Sequence, residues 1–457
     1  MISDTTRAVG AQTMHGYTAV PPPQNSPAVT LTVRVGATAA FAGERTRQYV
    51  LTEVKAEGGT VSRLPGGKRL PVNLSLVLDR SGSMEGEPLD YVKRGVAQIV
   101  DLLTPNDILS IVTFAETVDV LMPARRVTDP QLVKQHVARI LSGNTTNLFD
   151  GLYAGAAQLA SVPSTGYTSR LLLLTDGEPT AGLKDFQSIV SQVGDLKAKG
   201  VSVTALGFGS DYNEELLAAI ARKSDGNYYH IERPEAIPDV FRKELESVLG
   251  VVAKNPRLAL YLPRGCAVRQ VYGTPPEFGA RSAEIGLPDL ESGNGVTKIW
   301  EMDWEPRTPA TYRVAKAVLS YEDAATGSRE VVTANAVVDF TNDKDAGGRN
   351  TDAQVAQEVA VAQASRDLEK TMMGARTQAI NVTQMADALR RTQTILTQQG
   401  RVAEAAQVAQ ATQAAERGDA SNMDKTLMGA IYTLDQGRRV GKVSPGDPDS
   451  LHHPSHC

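Results

Sequence analysis

The sequence is poor in cysteine and in aromatic residues: Cys266 and Cys457 are its two thiols in 457 residues, and Phe, Trp and Tyr together make up 5%. Two cysteines cannot build a disulfide framework, so a small cross-linked scaffold is excluded and a reducing compartment is expected. Long runs of one charge are missing too. The 47 basic residues stand against 52 acidic ones, a net charge of −5, and without a basic footprint an obligate nucleic-acid partner is disfavoured. No apolar run reaches the roughly 18 residues of a membrane span. Residues 1–27 have neither the charged nor the apolar segment of a secretory signal and read as a flexible arm, which makes the cytoplasm the expected location, with export by a route lacking such a signal left open.

What is present has three textures, in keeping with a length that predicts about three units. Over 28–70, Val29, Leu31, Val33 and Val35 share one face at a period of two, and Gln48 to Val54 alternates in the same way, as strands of a sandwich do. Over 71–250 the runs Val72 to Leu78, Ile108 to Phe114 and Leu171 to Leu174 are nearly continuously apolar, the mark of strands covered on both faces. Between them Leu89, Val92, Val96, Ile99 and Leu103 follow helical spacing, as do Leu132, Val133, Val137, Ile140 and Leu141. A further helix is expected from Phe186 to Lys199, ended by Gly200, then a strand from Val201 to Leu206. This alternation predicts a doubly wound, mostly parallel α/β sheet.

Alternating strands return over 251–341, for example Lys298 to Met302 and Tyr312 to Val318. They predict a β-sandwich that the 28–70 strands complete, so that the α/β unit is an insertion between two parts of one β domain. Residues 351–438 are rich in Ala, Gln, Glu, Arg and Met and read as three or four helices in hairpins, with breaks at Gln399-Gly400 and Gly418-Asp419. Their apolar residues Val355, Val359, Leu368, Met372, Leu389, Ile395 and Leu396 fit either internal packing or a homo-oligomer contact. Residues 439–457 read as a disordered tail.

The strongest local signal is Asp79-Arg80-Ser81-Gly82-Ser83-Met84, directly after a buried strand and before a helix, where open α/β sheets bind ligands. A carboxylate and two hydroxyls at alternate positions offer hard oxygen ligands suited to Mg²⁺. Two later strand ends offer more: Thr146 within Gly143-Asn144-Thr145-Thr146-Asn147-Leu148, and Asp176 within Thr175-Asp176-Gly177-Glu178-Pro179.

Together these three segments, D-x-S-x-S, T-N-L and T-D-G-E-P, resemble a von Willebrand factor type A (VWA) domain over about 70–250. The resemblance implies a metal-ion-dependent adhesion site at Asp79, Ser81, Ser83, Thr146 and Asp176, binding Mg²⁺, with Mn²⁺ or Ca²⁺ as substitutes. It further implies an open position that accepts a Glu or Asp carboxylate from a partner protein, with Arg80, Met84, Asn147 and Glu178 as the flanking partner contacts. Asn144-Thr145 stand where many relatives have two glycines, which leaves Thr145 as an alternative ligand. The whole-chain arrangement is similar to bacterial proteins of this family and, more loosely, to inter-alpha-trypsin inhibitor heavy chains.

Blander readings compete at several points. Asp-x-Ser-x-Ser alone also suits a capped turn. His452, His453, His456 and Cys457 could bind Zn²⁺ or Cu²⁺ but suit an incidental tail better, while His136, His230, Cys266, Trp300 and Trp304 read as structural. As a phosphoryl-accepting nucleophile Asp79 would want a second acid two residues on, and Ser81 is there; no G-x-S-x-G, Walker or H-E-x-x-H segment exists. The expectation is a non-enzymatic, metal-dependent protein-binding module. Its alternative is a structural or assembly subunit whose metal site is vestigial.

Overall fold

The computed structural model describes residues 29–56, 70–162, 166–198 and 200–440. The expected arm at 1–27 lies outside them, as does nearly all of the expected tail, with His452, His453, His456 and Cys457.

A six-stranded sheet runs in the order Val118–Arg126, Ile108–Phe114, Val72–Asp79, Thr168–Gly177, Val203–Asp211, Tyr228–Ile231. Its neighbours are parallel except for the first pair, which is antiparallel. Every residue of Val72–Asp79 and Ile108–Phe114 is buried, because helices cover both faces of the sheet. Glu87–Leu102 and Ile237–Leu249 contribute Val92, Val96, Ile99, Phe241 and Leu245 to one core. Leu148–Ala160, Phe186–Ala198 and Glu214–Lys223 contribute Leu152, Ile189, Val193 and Leu217 to the other.

Two local expectations need correction. The helix read through Leu141 spans only Pro130–Ala138, and Leu141 is 76% exposed. The chain must turn there to enter the loop at Gly143. The edge strand Val118–Arg126 was unforeseen, since its half-exposed pattern lacks the apolar run of a covered strand.

Two further sheets flank this unit. One orders Val29–Val35, Thr46–Ala56, Asn294–Trp304 and Cys266–Val271, and Arg438–Val440 also pairs with Asn294–Trp304. The other orders Glu277–Gly279, Ser282–Gly286, Val251–Tyr261, Ala310–Asp323, Arg329–Thr341 and Ala39–Phe41. Thr46–Ala56 pairs with Asn294–Trp304 from Lys55↔Gly295 to Thr46↔Trp304, so the α/β unit is an insertion between hydrogen-bonded strands. Val54, Trp300 and Trp304 of the first sheet meet Leu258, Leu319 and Phe340 of the second in one core. Truncating either tryptophan should cost about 3–5 kcal/mol.

Helices Ala353–Arg376, Val382–Gln398, Val402–Glu416 and Ala420–Gln436 follow. Two of their breaks are the expected ones, made by Gly400 and Gly418 at φ values of 73° and 79°, a left-handed conformation that glycine adopts without strain. Leu368, Met372, Leu389 and Leu396 form the helices' own core, and Val355 and Val359 pack on Leu51, Tyr272 and Ile299 of the first flanking sheet. The apolar stripe is thus used within the chain. Ala420–Gln436 reaches further, placing Tyr432 in the α/β core. Among the described residues no helix is long and apolar enough to cross a membrane.

Candidate metal centre

Asp79 ends a central strand with its side chain fully buried. One carboxylate oxygen, Oδ1, accepts the Ser81 N–H at 2.8 Å and the other, Oδ2, accepts the Thr175 hydroxyl at 2.5 Å. Parallel pairing aligns Leu78 with Leu174, which brings Thr175 beside Asp79. After Asp79 the single 3-10 turn Gly82–Met84 swings Ser83 over Asp176. Ser83 Oγ donates to Asp176 Oδ1 at 2.8 Å and Ser81 Oγ to the same atom at 3.4 Å, with the two hydroxyl oxygens 3.2 Å apart. The two carboxylates and two hydroxyls therefore converge.

Burial pushes the Asp79 carboxyl up to about 6 despite the Thr175 and Ser81 hydrogen bonds. The Asp176 carboxyl is raised as well, by burial first, against the Ser83 hydrogen bond that lowers it and with nearby Asp211 adding to the rise. Among the described residues no Lys or Arg forms an ion pair with either. Two desolvated carboxylates lined by neutral hydroxyls fit a hard dication, which would favour their ionised forms. Nowhere among the described residues do three or more His, Cys, Asp or Glu gather as a metal site, so a dication at Asp79 and Asp176 would need hydroxyl ligands.

Backbone bonds fix the third loop. Gly143 N donates to Arg80 O at 2.6 Å, Gly82 N to Asn144 O at 3.3 Å and Asn147 N to Ala115 O at 3.0 Å. Thr146 donates its N–H to Thr180 Oγ1 at 2.8 Å, and its Oγ1 lies 3.5 Å from where a Cβ on Gly177 would stand. That hydroxyl faces the Asp176-Gly177 corner. Thr145, the alternative ligand, has its Oγ1 buried without a hydrogen-bond partner.

The flanking contacts fare differently. Met84 is fully buried in the α/β core and cannot meet a partner, because the 3-10 turn points it inward. Arg80 is no outward contact either: its side chain is 14% exposed and pairs with Asp119 at 2.9 Å, while Nη2 also donates to Thr117 Oγ1 at 2.9 Å. It braces the loop at Gly143, where an added Cβ would lie 2.9 Å from Nη1. Asn147 donates to Asp150 Oδ2 at 2.8 Å, and its buried Oδ1 packs under Gly182. Of the four, Glu178 alone is exposed.

Thr175, Thr180 and Glu116 support the site without having been singled out in the sequence. The Glu116 carboxylate accepts the Asn144 N–H at 2.8 Å, and backbone N–H donors led by that one hold its carboxyl below the usual range. Thr175 adjoins Asp176 in the T-D-G-E-P segment, yet only strand register reveals that it serves Asp79. His230, read as structural, bonds Tyr212 OH at 2.8 Å and Asn422 Oδ1 at 3.3 Å.

A central parallel sheet whose carboxyl-end loops gather Asp79, Ser81, Ser83, Thr146 and Asp176 defines a von Willebrand factor type A domain. Residues 73–243 match that family's model, so this segment of the chain is a VWA domain. Such domains are commonly metal-dependent protein-interaction modules. An uncharacterized protein of Synechocystis sp. is 29% identical over 278 residues, 58% of this chain and 65% of that protein. Inter-alpha-trypsin inhibitor heavy chain H1 of Bos taurus is 29% identical over 172 residues, 36% of this chain and 19% of that one. The chain thus spans less than two thirds of the length of either relative. Among solved structures, a von Willebrand factor type A protein from Catenulispora acidiphila superposes with a TM-score of 0.71 at 16% identity, over 89% of this chain and 98% of that one. The ArnB paralog VWA2 from Sulfolobus acidocaldarius does so at 0.61 and 18% identity, over 90% and 98%. At these identities the likeness is one of fold, and it takes in the flanking sheets and the C-terminal helices.

Proposed function

We propose that the chain is a non-enzymatic protein-binding module that captures a Glu or Asp side chain of a partner through a Mg²⁺-type dication held by Asp79, Ser81, Ser83, Thr146 and Asp176. The observation that carries this reading is the convergence of the Ser81 and Ser83 hydroxyls on Asp176 beside a buried Asp79. Bound there, a dication with few direct carboxylates keeps net positive charge and supplies a position for an anionic ligand. Thr175 and the Ser81 N–H hold Asp79 in one orientation, Arg80 braces the loop that carries Thr146, and exposed Glu178 is the rim residue that a partner meets.

Two observations weigh against the other readings. A phosphoryl-accepting aspartate wants a second acid two residues on, and Ser81 stands there with its hydroxyl turned to Asp176. An assembly subunit docking through the helices would need a free apolar stripe, and that stripe packs inside the chain.

The test is titration of wild type and Asp79→Ala with Mn²⁺ by electron spin resonance and with Mg²⁺ by calorimetry, then partner capture with and without EDTA. One saturable site, weakened about 100-fold or more in the variant, and capture abolished by EDTA are expected. Partner capture indifferent to both EDTA and the substitution would sink the proposal.

A further inference from the structure

A recess of about 300 Å³ lies where the first flanking sheet, the C-terminal helices and Arg222 of the α/β unit meet. That volume is at the lower end for small-molecule sites. Tyr272, Ile299, Val361 and Leu434 give it an apolar floor, and the polar groups on its walls are unequally matched.

Arg366 stacks over the Tyr272 ring at 4.3 Å and donates to Gln270 Oε1 at 2.7 Å, with no carboxylate in ion-pair contact among the described residues. Arg401 is 9% exposed; its Nη1 donates to Arg438 O at 2.8 Å, it forms ion pairs with Glu404 at 3.6 Å and with Glu358, which also lines the recess, at 3.9 Å, and its Nε has no hydrogen-bond partner. Thr297, 6% exposed, has an Oγ1 with no partner. Arg222 is satisfied by Asp435 at 3.1 Å, and Arg269 by Asp303 at 3.1 Å. Glu369 also lines the wall, its carboxyl raised by burial. Behind Thr274 and Asp435 sits Lys298, 4% exposed, its ammonium lowered to about 8 by burial.

Native interiors rarely leave buried donors unpaired, because a donor stripped of water and given no acceptor destabilises the fold. Here a guanidinium face, a guanidinium N–H and a hydroxyl border the same recess. We propose that this recess binds a small organic anion, whose carboxylate or phosphate oxygens are received by Arg366, Arg401 Nε and the Thr297 hydroxyl, and whose carbon skeleton lies against Ile299, Val361 and Leu434. A planar guanidinium fork suits either oxyanion. Since the walls come from three regions of the chain, an occupant ties the helices to the sheet and raises the melting temperature. The site is independent of the metal-type loops.

The experiment uses the full chain, with succinate and glycerol 3-phosphate as probes, read by calorimetry and by thermal melting. Saturable binding of at least one probe with a rise in Tm is expected, succinate indicating a carboxylate ligand and glycerol 3-phosphate a phosphorylated one. Arg366→Gln should weaken that binding about tenfold or more. Thr297→Val, which removes an unpaired hydroxyl and keeps the shape, should weaken it while leaving the unliganded Tm unchanged or higher. Asp79→Ala should bind the probe like wild type. Failure of both probes to bind saturably, or binding indifferent to both recess variants, would overturn the proposal.

Discussion

The carboxyl edge of the six-stranded sheet is finished in two ways. Beyond Val203–Asp211 and Tyr228–Ile231 the chain covers itself: Ser421 donates to Ser210 O at 3.1 Å, Lys425 pairs with Glu214 at 3.2 Å, and Arg376 gathers Glu214, Glu215 and Asp424. Beyond Val72–Asp79 and Thr168–Gly177, Asp79 and Asp176 have hydroxyls and amides around them but no Lys or Arg partner among the described residues. The halves touch, since Gly177 pairs with Asp211. A single acidic edge is thus neutralised by the protein's own cations on one side and left short of charge on the other. The shortage belongs to the loops that carry Ser81, Ser83 and Thr146, not to the sheet.

Arg376→Ala is the sharpest way to break this contrast. It removes the cation shared by Glu214, Glu215 and Asp424, and because Glu214 keeps Lys425 and the arginine is 25% exposed the cost is about 2 kcal/mol rather than the larger value of a fully buried network. Urea unfolding should show that loss while divalent-ion affinity stays within about twofold of wild type. Parallel loss of metal binding would mean that the two halves are not separable. Arg80→Ala tests the open half: it touches no oxygen of the Asp176 cluster, yet should weaken Mn²⁺ binding about tenfold by freeing the loop at Gly143. Unchanged affinity would demote Arg80 to simple packing.

A smaller effect is expected from pH. Burial holds His230 below its usual value, with Lys425 adding to the depression and Asn422, Glu232 and Glu214 opposing it. The folded state therefore prefers the neutral ring, so the histidine's contribution is complete above the unfolded value near 6.5 and is lost as pH falls through the depressed folded one. Between pH 7.5 and 5, wild type should lose about 2 °C more in Tm than His230→Asn. Equal losses would show that the covered half does not sense pH through this ring.

Much of this was legible because the informative residues are neighbours in sequence. Asp79, Ser81 and Ser83 follow an unbroken apolar run, and the switch from period-two to continuous burial and back marks the insertion. What escaped depended on register and turn geometry. Thr175 serves Asp79 only because two parallel strands align at Leu78 and Leu174. Arg80 looked outward until the approach of Gly143 closed over it. Met84 follows Ser83, but successive residues of a 3-10 turn are rotated by about 120°, so one faces Asp176 and the next the core.

Trp300 Nε1 donates to Thr52 Oγ1 at 2.9 Å across 248 residues of chain. During folding that contact is a loop-closure problem, whose entropic cost grows by about 0.6 kcal/mol per doubling of the loop. The inserted unit can shorten the loop by forming first, since its ends leave from one edge: Pro71 O accepts the Thr168 N–H at 3.1 Å and Lys254 Nζ reaches Tyr167 O at 3.4 Å. The flanking sheet would then close last, and its rate of formation would be set by a unit with which it shares no core.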